Sequence, residues 1–150
     1  MVFEQVRDIL DQIKLIHRQA ASHCFESEHS SDERVNLLME YFRQWEEALR
    51  SWVESVESSE RSTVLDTWVQ FGTTREIDEA LTSLRGAQRE GPDALVSRSL
   101  ELQQEIVEFL RQLAGSLDTP DAHNLVLDLA EFEEGANRRL GMAVLTSHDA

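Results

Sequence analysis

Apolar residues recur along most of this chain at alternating steps of three and four. Val2, Val6, Ile9, Ile13, Ile16, Ala20 and Cys24 form one such stripe, which predicts a helix over residues 2–25. Val35, Leu38, Phe42, Trp45, Leu49, Trp52 and Val56 repeat the rhythm in strict alternation. Ser30 followed by Glu33 reads as a capping box opening that second helix. Strand-like alternation with a period of two is absent, so the expected class is all-α.

Residues 57–91 break the rhythm. Two short helices are expected there, at 62–71 and 74–84, each stopped by a glycine, Gly72 and Gly86. Gly91-Pro92-Asp93 and Thr119-Pro120-Asp121 then repeat one start signal, a proline at or near the first helical position with an acid in the first turn. The third stripe is Leu95, Leu102, Ile106, Leu110 and Leu113. The fourth is Leu125, Leu129, Phe132, Ala136, Leu140 and Val144, with residues 146–150 expected to fray. Four long helices with a long central connection predict two helical hairpins joined by a crossover, the ferritin-like variant of the four-helix bundle. A single domain over residues 1–150 is expected, with the crossover at about 57–91.

Composition narrows the function. The chain has 150 residues, with 29 Asp+Glu against 14 Lys+Arg and a formal charge of −15. A field of that sign repels phosphates and anionic lipid, so neither nucleic acid nor membrane is expected as a partner. The hydrophobic fraction of 41% is nevertheless enough for a packed core. The first residues lack the basic and apolar regions of a secretory leader, and one cysteine cannot form an intrachain disulfide. The expected compartment is therefore the cytoplasm.

The two hairpins resemble each other. Asn36-Leu37-Leu38-Met39-Glu40-Tyr41 aligns with Asn124-Leu125-Val126-Leu127-Asp128-Leu129, and the preceding helices align as well. The segments 102–114 and 128–140, with residues 32–46 as the matching half, resemble a rubrerythrin-type ferritin-like domain. In that family each half supplies a Glu from one helix and a Glu-x-x-His from the next, and together these hold two metal ions. Carried over position by position, the first-helix Glu falls on His17 and the second-helix pair on Trp45 and Ala48. The third-helix Glu falls on Gln103 and the fourth-helix pair on Glu133 and Ala136. Only His17 and Glu133 retain good metal ligands, and no Glu-x-x-His occurs anywhere in the chain. An indole offers a cation no lone pair and fills the volume that ions would need.

The expected site is therefore filled by side chains and no cofactor is expected. His17, Glu133 and Glu105 are the remnant candidates should iron or another divalent metal bind. Trp45 and Gln103 are the candidates for a ligand cavity. His17 and Glu133 are expected to meet near the helical axis as a buried polar pair. Cys24, on the apolar stripe, reads as structural; His23 and His29, near Glu26 and Glu28, could bind zinc adventitiously but read better as a solvated helix end, and His123 and His148 are the remaining histidines. No phosphate loop, nucleophile elbow or triad pattern is present, so no enzymatic chemistry is indicated. Three functions remain: a non-catalytic bundle acting through protein contacts or as a homodimer, a rubrerythrin-like metal-binding or iron-handling oxidoreductase with a degenerate site, and a small-ligand binder. Phe25, Leu37, Tyr41 and Phe109, off the main stripes, are the apolar surplus that suggests self-association.

Overall fold

The computed structural model describes residues 2–72 and 74–149, apart from the side chains of Val2 and of residues 147–149, so His148 lies outside the described side chains. Helix accounts for 81% of the residues, as the periodicity predicts. Helices α1 (Val6–Phe25) and α2 (Glu33–Glu57) form one hairpin; α4 (Pro92–Gly115) and α5 (Pro120–Asp149) form the other. Helix α2 packs on both α4 and α5, and the short helix α3 (Arg75–Gly86) covers α4 and α1. One continuous apolar core draws on all five helices. No described helix is long and apolar enough to cross a membrane.

Local signals explain most boundaries. Thr119 caps α5, its hydroxyl accepting from the Ala122 amide at 3.3 Å, with Pro120 in the first turn. Gly91 precedes α4 with φ +126°, a conformation that suits only glycine. The cap of α2 is not Ser30 but Asp32, whose carboxylate accepts from the Arg34 amide at 2.9 Å. Between the helices the chain turns, the Ser27 hydroxyl donating to the Cys24 carbonyl at 2.9 Å and the Asp32 amide to the His29 carbonyl at 2.9 Å. Helix α5 remains helical through Asp149, beyond the expected start of fraying at Thr146; Ala150 is outside the described residues.

Two sequence expectations fail at the crossover. Residues 2–5 are not helical. They form strand β1 (Val2–Gln5), antiparallel to β2 (Trp68–Phe71), with Phe3 opposite Gln70 and Glu4 opposite Val69. The helix expected at 62–71 is instead a 3₁₀ turn (Ser62–Asp66) followed by β2. In β2, Val69 and Phe71 point into the core and Trp68 and Gln70 point out. That is a period of two over four residues, too short to stand out from the helical spacing of Val64, Leu65, Trp68 and Val69. Phe71 meets Phe109 edge-on at 5.5 Å, so Phe109 is buried in the core and is not part of a surface surplus. Phe3 stacks on Trp68 outside, with ring centres 5.1 Å apart.

Candidate functional site

The four long helices each send one side chain to a common point. His17 comes from α1, Trp45 from α2, Gln103 from α4 and Glu133 from α5. His17, Gln103 and Glu133 are fully buried and Trp45 is 3% exposed. His17 stands four residues after Ile13, so the helical period brings it inward in place of Ile16, which is only partly buried.

The hydrogen bonds assign the protons. His17 Nδ1 lies 2.9 Å from the Ile13 carbonyl, which can only accept, so Nδ1 carries a hydrogen. The Gln103 amide nitrogen then donates to His17 Nε2 at 3.1 Å. Glu133 Oε1 lies 3.4 Å from the same Nε2. A carboxylate there would face a lone pair across a buried gap. Burial raises the Glu133 pKa above the ordinary carboxylate range, opposed by the contact with His17. That direction favours the protonated carboxyl and agrees with a lone pair on His17 Nε2 facing Glu133 Oε1. The Trp45 ring stacks on the imidazole, 3.6 Å between centres and 6° from parallel, and Phe42 meets it edge-on at 5.9 Å. Three polar atoms of the cluster, Glu133 Oε2, Gln103 Oε1 and Trp45 Nε1, have no hydrogen-bond partner among the described residues.

Glu105 is not brought to this cluster. It sits two positions past Gln103, hence on another side of α4, half-buried beside Glu76 and Glu108 in a shallow hollow facing α3. Burial raises its pKa, and Glu108, Glu76 and Glu79 raise it further. Cys24 is buried, its thiol pushed up to about 11 by burial, with Ser99 opposing, which leaves it unreactive. His123 binds the Ala114 carbonyl at 2.7 Å and ties α5 to the end of α4. No group of three or more His, Cys, Asp or Glu is placed to hold a metal among the described residues.

Between Trp45 and Gln103, the candidates for a ligand cavity, stands the His17 ring, stacked on the indole and within hydrogen-bond distance of the amide. A groove of about 410 Å³ lies instead between α2 and α5. Trp45 borders it, with Tyr41, Ala48, Phe132, Ala136 and Arg139 among the other lining residues. Sequence reasoning missed this groove. Its signal was the pair of small residues, Ala48 and Ala136, set three positions after Trp45 and Glu133 on facing helices. Compared with protein-family models, curated proteins and solved structures, the chain matches none.

Proposed function

We propose that this chain is a non-catalytic helical bundle of ferritin-like design that acts through contacts, with a packed side-chain cluster in the place of a di-metal centre. The stack of Trp45 on His17 carries the reading. Four positions aligned by resemblance alone, one on each long helix, meet in one buried cluster, which favours a ferritin-like arrangement over an unrelated helical packing. At that point an indole and an amide stand where two of the carboxylates would be. Of the four side chains, Trp45 offers a cation no lone pair and Gln103 only a neutral amide oxygen.

A cytoplasmic homodimer is part of this proposal. The exposed apolar side chains Phe25 and Met142, 61% and 65% accessible, are what supports it. Light scattering at micromolar concentration is expected to give twice the chain mass; a monomer removes the dimer.

A degenerate metal-handling protein is the second reading. One observation favours it: Glu133 Oε2 and Gln103 Oε1 are acceptors without partners beside His17 Nε2. Elemental analysis separates the two readings. Stoichiometric iron, manganese or zinc in protein purified without chelators supports the second and overturns the first.

A further inference from the structure

Trp45 separates two environments. One face of its ring covers His17, and the side chain also borders the groove between α2 and α5. The groove volume, about 410 Å³, falls within the range of roughly 300–1,000 Å³ that holds small molecules. Its walls are apolar at Leu37, Ala48, Phe132 and Leu140.

Two side chains of the groove carry a buried polar hydrogen without an acceptor among the described residues; Glu40, Gln44 and Arg139 are its other polar groups. Trp45 Nε1 and the Tyr41 hydroxyl are buried and lack hydrogen-bond partners among the described residues. An indole N–H can only donate, so it calls for an acceptor. Arg139 lines the same groove; burial and then the charge of Glu133 raise the Tyr41 pKa, and the positive charge of Arg139 opposes them. The one acid in the lining, Glu40, accepts from Gln44 at 3.0 Å. Donors beneath a cation, flanked by apolar walls, complement an anionic acceptor head on an apolar body. An ammonium head would meet Arg139 and two hydrogens. We propose that the α2–α5 groove binds a small apolar carboxylate, its tail along Leu37, Phe132 and Leu140 and its head toward Tyr41, Trp45 and Arg139.

The inference goes beyond the contact role proposed above and does not depend on metal content. Three probes of equal chain length isolate the head group: decanoate, decanol and decylamine. Calorimetric titration of the full chain near neutral pH is expected to rank them in that order, with decanol about tenfold weaker or more than decanoate. Loss of a hydrogen bond to a charged group costs about ten- to a hundredfold in affinity. Tyr41→Phe, Trp45→Phe and Arg139→Gln should each weaken decanoate by about that factor. Arg139→Gln should change decanol by less than about threefold. The two aromatic variants keep a ring in place and Arg139 is exposed, so thermal unfolding of each variant serves as the folding control. The proposal is overturned if decanoate fails to saturate at millimolar concentration, if all three heads bind equally, or if no variant weakens decanoate. Light scattering in parallel covers the remaining outcome: decanoate binding only on dissociation of a dimer assigns the groove to a second copy and also overturns it.

Discussion

Glu133 is the residue on which pH acts most directly. Burial raises its pKa in the folded chain above the unfolded value. The folded chain therefore binds more protons than the unfolded chain over the interval between the two values. The stabilisation is fully present below the unfolded value, near 4.5, and is lost as pH rises through the folded one. Glu133→Gln keeps the shape and removes the titration. Urea unfolding between about pH 4 and pH 8 should show wild type losing stability relative to this variant as pH rises. A constant difference across that range would mean that Glu133 is ionised in the fold. Trp45→Ala should cost about 3–5 kcal/mol, since it uncovers His17 and empties a ring-sized volume. The pairing of His17 with Glu133 was legible only through the positional resemblance, since Ile16 and Phe132, not these two residues, continue the apolar stripes of their helices. The stack of Trp45 on His17 was not, because ring orientation depends on how two helices cross.

At the scale of elements, stability divides between buried and exposed faces of the same strand pair. Phe71→Ala, inside against Phe109, should cost about 3–5 kcal/mol. Trp68→Ala, outside against Phe3, removes a stacked pair worth about 0.5–1.5 kcal/mol plus partial burial. Comparable losses for the two would contradict the inward and outward alternation of β2. Asp32→Ala should cost about 1 kcal/mol as a lost N-cap, whereas Ser30→Ala should be near neutral. Helices α4 and α5 could be placed from sequence because glycine, proline and a capping hydroxyl act within one turn. Strand β1 could not, since its partner lies more than sixty residues away. Nothing in Val2–Gln5 alone prefers a strand over continuing the apolar stripe of α1.

For the whole molecule, a charge of −15 is the dominant long-range effect. Most acids lie on outer helix faces, where ion pairs such as Arg111 with Glu134 and Arg34 with Asp93 offset a minority of them. Self-repulsion favours the expanded chain, and salt screens it over a Debye length of about 10 Å at 0.1 M. The midpoint of thermal unfolding should therefore rise between low salt and about 0.5 M sodium chloride. No change would mean that acids and bases are balanced locally. The central cluster lies inside this acidic shell, and its chemistry separates a contact protein from a metal enzyme. Elemental analysis of chain purified without chelators, after incubation with ferrous iron or manganese and desalting, tests that difference most directly. The predicted result is far less than one ion per chain, unchanged in His17→Ala and Glu133→Ala. One or two tightly held ions per chain, lost in those variants, would contradict it.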